Sequence, residues 1–348
     1  MDTKTLTDIC NYRKETVPSN KCDRMTFIST ENMLPNKAGV IISAKCPTSG
    51  NVSKYYPGDV LVSNIRPYFK KIYLADKEGT CSNDVLVFFP KREVCTSDFL
   101  FCLLSTDAFF AHATKTAKGT KMPRGDRSAI MGYQINWVPI NEQSSISEPI
   151  LNIYHKIKLN EKINDNLMQQ AEAFYRYLFI KNASPTWRTG SMAELVSVKY
   201  GKDHKKLADG TIPVYGSGGV MRFVERPLYE HESVLIPRKG SLNNIIYVNQ
   251  PFWSVDTMFY TEMKLCNVAK YVYFYLKSQN LAAMNVGSAV PSMTTELLNS
   301  MQIKIPSDST LVMFESIVDP MFKTISHNKM EIKKLTQVRD CLLKKLFR

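Results

Sequence analysis

The sequence predicts an α+β chain in which two globular domains are separated by two long helices. Two observations support this prediction. A heptad pattern of apolar residues occurs twice, at an offset of 168 residues (328 − 160). The segment before each pattern has short runs of Val, Ile, Tyr and Phe between Gly, Pro, Asn and Asp, as strands joined by turns do. We therefore expect a pseudo-twofold internal repeat whose helices form an antiparallel coiled coil.

The two predicted globular domains cover residues 1–145 and 185–308. Four short segments of the first domain have counterparts in the second, in the same order, as a duplicated domain requires. The pairs are DVLV at 59–62 and SVLI at 233–236, IYL at 72–74 and IYV at 246–248, SND at 82–84 and SVD at 254–256, and GTKMP at 119–123 and GSAVP at 287–291.

The two predicted helical regions are residues 146–184, which include a linker, and residues 309–348. Their apolar side chains recur at alternating steps of three and four, the spacing of a heptad seam. Pro and small polar residues near 182–187 and 307–309 predict linkers. The positions on these helices that we expect to dock partner chains and to act as a spacer are Ile157, Asn160, Leu167, Phe174, Ile325, Asn328, Leu335 and Leu342.

Asn160 and Asn328 occupy equivalent seam positions. A buried asparagine in a coiled coil specifies the register of the helices at some cost in stability. Alternatively, both side chains face partner chains or solvent. The sequence leaves these alternatives open.

The net charge favours a polyanionic partner. The chain has 45 Lys and Arg against 32 Asp and Glu, a formal charge of +13. Basic side chains that neutralise phosphates release condensed counterions, so nucleic acid is the leading candidate. Many basic proteins bind neither nucleic acid nor membrane, so the charge alone does not decide the matter.

The cysteines and histidines do not suggest a metal or a disulfide framework. The eight cysteines include no C-x-x-C pair, and the five histidines lie far apart in the sequence. Reduced thiols in a cytoplasm are therefore expected, with no metal site and no cofactor on this chain. The N-terminal segment lacks the apolar stretch of a signal sequence, and no run of eighteen apolar residues occurs, so no membrane association is expected.

Two glycine-containing segments of the second domain are candidate DNA-binding loops. The first contains Tyr215, Gly216, Ser217 and Gly218, where glycines permit close approach and the ring could stack on bases. It does not have the spacing of a phosphate-binding loop, and an ordinary tight turn is the alternative. The second contains Arg238, Lys239 and Ser241, in which an arginine could read guanine and a lysine could anchor phosphate.

The first domain has different residues at the corresponding place. Asn64 and Arg66 lie in the run NIRPYFKK, where the second domain has PRKGS. A further basic cluster follows, at Lys115, Lys118, Lys121, Arg124 and Arg127. Different loops at one topological position suggest two different half-sites; solvated basic turns are the alternative.

Acidic residues raise the question of catalysis, and we expect none. Asp84 and Asp256 lie at equivalent positions, and each is better explained as a turn residue with a loop-fixing hydrogen bond. The run Asp319-Pro320-Met321-Phe322 is loosely similar to an amino-methyltransferase loop, but it lies in the predicted C-terminal helix and lacks the second proline.

The runs IPVYGSGGV, LIPRKGS and PFWSVDTMFY, together with both long helices, resemble the specificity subunit of Type I restriction-modification enzymes across essentially the whole chain. The match is specific in the second domain. The first domain lacks both YGSGG and RKG, so its assignment depends on the order of its segments.

This resemblance implies that each domain is a target-recognition domain for one half of a split double-stranded DNA target in a bacterium or archaeon. It implies that two methyltransferase subunits, which would carry S-adenosylmethionine, dock on the helical region, and that ATP-dependent restriction subunits can join them. The chain itself would be non-catalytic. About 29 helical residues span roughly 43 Å, comparable with the roughly 34 Å between half-sites on one face of DNA. The alternatives are a coiled-coil scaffold or an orphan DNA-binding protein without restriction activity.

Overall fold

The computed structural model describes residues 3–284 and 292–347. The chain divides into two compact units. The first comprises residues Met1–Lys162 and Asn328–Arg348, and the second comprises Ile163–His327. Each unit therefore contains one predicted globular domain and part of both long helices.

The first unit is built on two four-stranded sheets, with strand orders β2-β9-β6-β7 and β3-β5-β8-β4, and on the antiparallel pair β1-β10. Its strands are β1 Thr3–Thr5, β2 Cys10–Tyr12, β3 Thr16–Pro18, β4 Phe27–Ile28, β5 Asn51–Tyr55, β6 Val60–Ser63, β7 Ile72–Leu74, β8 Gly79–Cys81, β9 Val85–Pro90 and β10 Gln134–Asn136. Its helices are α1 Leu6–Ile9, α2 Ser97–Leu104, α3 Asp107–Lys115, α4 Arg127–Met131 and the beginning of α5, Ile140–Arg176.

The second unit is built on the four-stranded sheet β12-β18-β15-β16, the three-stranded sheet β14-β13-β17 and the pair β11-β19. Its strands are β11 Thr189–Ser191, β12 Val196–Tyr200, β13 Asp209–Gly216, β14 Gly219–Val224, β15 Ser233–Pro237, β16 Ile246–Val248, β17 Trp253–Ser254, β18 Met258–Met263 and β19 Gln302–Lys304. Its helices are α6 Met192–Leu195, α7 Ala269–Ser278, α8 Thr295–Ser300 and the beginning of α9, Asp308–Leu346.

The internal repeat predicted from the sequence is confirmed by this topology. The sheet β2-β9-β6-β7 has its counterpart in β12-β18-β15-β16, and the pair β1-β10 has its counterpart in β11-β19. The short helices α1 and α6 even begin with the same capping box, formed by Thr5 with Asp8 and by Ser191 with Glu194. The fold is α+β, with mixed sheets and two long helices.

In each domain the main sheet packs against helices. Val62 and Phe88 of the first sheet are buried with Phe99 of α2 and Phe109 of α3. The alternating side chains of β6 face two clusters, because Leu61 belongs to a second core between the sheets. Strands buried on both faces explain why the runs at 60–62 and 234–237 are continuously apolar.

The long helices begin at residues that differ from the prediction. α5 begins at Ile140, whereas the heptad pattern predicted a start at 146. Its polar first turn is held by Gln143, which is fully buried, donates to the carbonyl of Val94 at 2.8 Å and accepts from the amide of Thr96 at 2.9 Å. The predicted linker at 307–309 is also wrong, because α9 begins at Asp308.

The two helices run antiparallel within the first unit. Asn160 of α5 donates to Glu331 of α9 at 2.7 Å, whereas the earlier α5 residues Ile150 and Tyr154 pack with the later α9 residue Leu343. Asn160 is 2% exposed, so its side chain faces the other helix and not solvent. This contact decides between the alternatives that the sequence left open for Asn160; Asn328 is also buried.

The predicted seam residues are covered by the chain itself. Side chains at Ile157, Asn160, Ile325 and Asn328 are buried, and Phe174 stacks on Phe314 with ring centroids 5.9 Å apart. Leu167, Leu335 and Leu342 are half-buried. The buried positions of the seam therefore pack within the chain, and the half-buried positions keep part of their surface exposed.

Candidate nucleic-acid interface

In the first unit, the turn at residues 82–84 brings three loops together. The amide of Asn64 donates to the carbonyl of Asp84 at 2.8 Å. The carboxylate of Asp84 accepts from Arg124, with 2.9 Å to Nε and 3.2 Å to Nη2. Arg127 Nη2 donates to the carbonyl of Asn83 at 2.9 Å. The predicted loop-fixing role of Asp84 is confirmed by these contacts.

The basic loop at residues 118–124 is closed by its own backbone. The amide of Lys118 donates to the carbonyl of Arg124 at 2.8 Å, and the reverse bond is 2.9 Å. Lys118 Nζ lies 2.7 Å from Asp126, whose pKa is lowered by this ammonium group and by the backbone amides of α4. Lys121 is exposed at the tip.

Arg66 holds this loop in place. It adopts left-handed backbone geometry, with φ of 50°, which a residue other than glycine adopts only at some cost. Its amide donates to the carbonyl of Pro123 at 2.8 Å, and its Nη2 donates to that of Lys121 at 3.1 Å. Arg66 Nε and Asn64 Oδ1 are buried. Asn64 and Arg66 therefore point into the loop, while Lys118, Lys121 and Arg124 face outward.

The structure thus brings the five site residues predicted in the first domain together around one loop, but only three of them, Lys118, Lys121 and Arg124, are exposed. Arg66 is half-buried and Asn64 is buried, so Asn64 supports the loop from within. Sequence analysis missed the exposed apolar side chains beside them: Tyr68 is 48% exposed and Met122 is 47% exposed. Met122 follows Lys121, and Tyr68 lies two residues from both Arg66 and Lys70. An aromatic ring between cations is a detectable signal of nucleic-acid binding.

In the second unit, the turn at residues 254–257 has the same role. The amide of Lys202 donates to the carbonyl of Ser254 at 2.8 Å, and that of Arg238 donates to Thr257 at 2.9 Å. The amide of Val255 donates to the carbonyl of Tyr215 at 3.1 Å. Asp256 is exposed, and its carbonyl accepts from Arg238 Nη1 at 3.3 Å.

The segment around Tyr215 forms a strand and a tight turn, the second of the two alternatives that the sequence left open. Residues up to Gly216 form strand β13, which pairs with β14 in a hairpin, so Ser217 and Gly218 form a two-residue turn. Tyr215 is half-buried, and its ring lies 6.2 Å from Phe252. Burial raises the pKa of its hydroxyl, which accepts from Gln250 at 3.3 Å. Inward-facing Ile212 and Val214 favour the strand.

The turn containing Arg238 lies beside the hairpin tip. Gly240 has a φ of 84°, and a Cβ there would lie 2.9 Å from Ser217 Oγ. The Arg238 guanidinium lies 5.5 Å from the Tyr200 ring. Lys239 and Ser241 are exposed. The predicted residues of the second domain are therefore neighbours; the segment 287–291 that was matched to 119–123 lies outside the described residues.

A second basic loop of this unit was missed by the sequence analysis. Lys202, Lys205 and Lys206 are exposed, and the loop is held where Trp253 Nε1 donates to the carbonyl of Lys202 at 2.8 Å. The signal was present as three lysines within five residues, KDHKK.

The remaining acidic motif lies in a helix. Asp319 belongs to α9 and lies 2.7 Å from Lys323 and 3.2 Å from Lys270, so the run beginning at Asp319 is not a loop. Among the described residues, no group of three or more His, Cys, Asp or Glu side chains could hold a metal ion. Nor is any helix in that part of the chain long and apolar enough to cross a membrane.

The chain thus has a duplicated α+β domain, two long helices, and a cluster of basic loops in each copy of the domain. The model of the Type I restriction modification DNA specificity domain matches residues 1–169 and 185–337. The chain belongs to this family.

Similar proteins carry the same description. The chain is 27% identical to the Type I restriction enzyme HindI specificity subunit of Haemophilus influenzae, over 51% of this chain and 40% of that protein. It is 26% identical to a putative type I specificity subunit of Mycoplasma genitalium, over 60% of this chain and 57% of that protein. The matched regions therefore span less than two thirds of these relatives.

A solved structure has the same fold. The crystal structure of the S subunit of a Type I restriction-modification system from M. genitalium aligns with a TM-score of 0.64, covering 100% of this chain and 96% of that one. The sequences are 20% identical in this alignment, so the comparison supports the fold alone.

Proposed function

We propose that this chain is the sequence-specific DNA-binding specificity subunit of a Type I restriction-modification complex, and that each domain reads one half of a bipartite target. The observation that carries the proposal is that one arrangement of loops occurs twice. Each domain has a turn after a short strand, at 82–84 in the first and at 254–257 in the second. A backbone carbonyl of this turn accepts a hydrogen bond from a backbone amide of a basic loop. The domains differ in the side chains on those loops, as two different half-sites require.

The exposed charges fit a duplex. Lys118 and Lys121 of the first domain and Lys239 of the second lie on outward loops, where they can neutralise phosphates and set the orientation of the protein on DNA. The chain itself would be non-catalytic, and S-adenosylmethionine would bind to the methyltransferase subunit. We place the complex in the cytoplasm of a bacterium or archaeon.

The long helices would set the distance between half-sites and dock two methyltransferase subunits, with ATP-dependent restriction subunits joining the complex. Their outer faces carry exposed apolar side chains, as a docking surface does. These are Leu159, Met330 and Val338 in the first unit and Val312, Met313 and Ile317 in the second.

Domain exchange with another family member tests the proposal. The chain is co-expressed with its methyltransferase subunit, and adenine methylation is mapped across a genome by long-read sequencing. Exchange of residues 1–145 should change one half of a split motif, and exchange of 185–308 should change only the other half. The unexchanged half is the internal control. A stable complex without any motif would contradict DNA recognition, and the absence of a complex would contradict the partner assignment.

Salt dependence separates DNA recognition from a scaffold role. A DNA-binding subunit should lose affinity for duplex DNA as salt rises, with a logarithmic slope of about −0.9 for each phosphate contact. A scaffold that binds proteins through α5 and α9 should show weak duplex binding without this slope.

A further inference from the structure

Arg124 of the first domain is an exposed arginine whose side chain is held by the carboxylate of Asp84. Asp84 accepts from Nε at 2.9 Å and from Nη2 at 3.2 Å, so the two side chains form a bidentate pair. The side chain of Arg124 is nevertheless 53% exposed, compared with 35% for Asp84. The pair therefore lies at the surface, with the carboxylate on the inner side of the guanidinium.

The hydrogen-bonding capacity of Arg124 is only partly used by Asp84. A guanidinium carries five N–H donors, and a bidentate carboxylate takes two of them along one edge. The edge formed by Nη1 and Nη2 retains two nearly parallel N–H groups. Guanine offers two acceptors, O6 and N7, with matching separation in the major groove, and arginine paired to them is the commonest base-specific contact.

The backbone on both sides of this pair is fixed. Arg124 exchanges two backbone hydrogen bonds with Lys118, and the carbonyl of Asp84 accepts from Asn64. The amide of Asp84 donates to Ser82 Oγ at 3.3 Å. The guanidinium is therefore held in one plane before any ligand binds, which reduces the entropy lost on contact.

Lys118, six residues before Arg124, provides a contrast. Its ammonium group is paired with Asp126, and the side chain of Lys118 is 82% exposed. A lysine presents a point charge without a planar pair of donors, so it suits a phosphate, which carries no sequence information. The two neighbouring cations thus have the chemistry of a base contact and of a backbone contact.

We propose that Arg124, positioned by Asp84, reads a guanine in the half-site of the first domain. This inference rests on the proposed function and adds the identity of one base. It makes Asp84 a positioning residue and not a catalytic one.

The test uses the full chain assembled with its methyltransferase subunit, with methylation mapped across a genome for the variants R124A, R124K, D84N and K118A. The wild-type half-site of the first domain should contain a guanine. R124A should relax that position alone, by roughly 5- to 150-fold in discrimination. R124K should relax it similarly, because the planar donor pair is lost although the charge remains. D84N should relax the same position to a smaller extent.

K118A should lower methylation at all targets and leave the motif unchanged. Uniform weakening by R124A, without relaxation at one position, would show a phosphate contact and overturn the inference. A first half-site without guanine, or with its guanine unaffected in R124A and R124K, would overturn it too. The unchanged second half of the motif shows that each variant is folded. Failure of the wild-type complex to give any motif would instead contradict the proposed function.

Discussion

Gly201 shows how one residue shapes the candidate interface of the second domain. It is buried directly after β12 and contacts the 254–257 turn so closely that a Cβ would lie 2.1 Å from the carbonyl oxygen of Val255. Its amide donates to the carbonyl of Met258 at 3.0 Å. Because backbone atoms lie on both sides, only glycine lets the lysine loop and the turn approach.

Gly201→Ala should therefore destabilise the second unit. The carbonyl cannot rotate away as a side chain would, so we expect a loss of about 1–3 kcal/mol in the free energy of unfolding, as for other overpacked sites. Urea unfolding measures this loss. Gly218→Ala is the matched control, since nothing lies within 4 Å of a Cβ there, and it should change stability by less than about 0.5 kcal/mol. Equal effects of the two substitutions would contradict the close-approach argument.

At the scale of elements, the second unit joins α7 to α9 through a buried lysine. Lys270 is 1% exposed and pairs with Glu315, with Asp319 at 3.2 Å and with Glu232 at 3.4 Å. Burial alone would lower the pKa of Lys270, but the carboxylates outweigh it and the net pKa is raised. Burial raises the pKa of Glu315. The domain is thus tied to the long helix by charge as well as by apolar packing.

Replacing Lys270 should reveal this connection. Lys270→Met leaves carboxylates without their buried counter-charge, and we expect a loss of roughly 3–5 kcal/mol in the free energy of unfolding. Chemical denaturation is the measurement. Lys323→Met also removes a lysine paired with Asp319, but that side chain is 74% exposed, so the loss should be about 0–1 kcal/mol. A similar result for both variants would show that burial of the ammonium group is not important.

At the scale of the whole molecule, each long helix continues from one unit into the other, at Lys162–Ile163 in α5 and at His327–Asn328 in α9. Asn160 donates to Glu331 close to these points. A full heptad inserted into both helices preserves the seam, because its period is seven residues. The helices can therefore be lengthened without exposing Ile157 or Ile325.

Such a paired insertion should lengthen the gap in the DNA target. Seven residues add about 10.5 Å of helix, or roughly three base pairs, if the helices set the spacing. Methylation mapping of the assembled complex measures the gap. A heptad inserted into only one helix is the control, since it shifts one seam against the other and should prevent a stable complex. A paired insertion that leaves the gap unchanged would rule out the spacer role.

Local sequence patterns were sufficient to predict the internal repeat and the two long helices. Heptad spacing around Asn160 and Asn328 predicted two long helices because seam packing requires that period. The strand runs were predicted for a similar reason, since apolar residues must face a core. The start of α5 was not predicted, because its first turn is polar. That turn is held by hydrogen bonds that join Gln143 to Thr96 and Val94, which are 47 and 49 residues away in the sequence.

The sequence by itself determined the α+β class, the repeat, the basic character of the loops and the family. Only the tertiary structure decided which side chains are available on those loops. Asp84 and Arg124 are 40 residues apart, so their pairing depends on how the sheet and the 118–124 loop meet. Tyr215 was predicted as a ring that could stack on bases, and it is half-buried beside Phe252 because β13 packs on its own core. Composition and periodicity report which residues need burial, but long-range contacts decide which polar groups remain exposed.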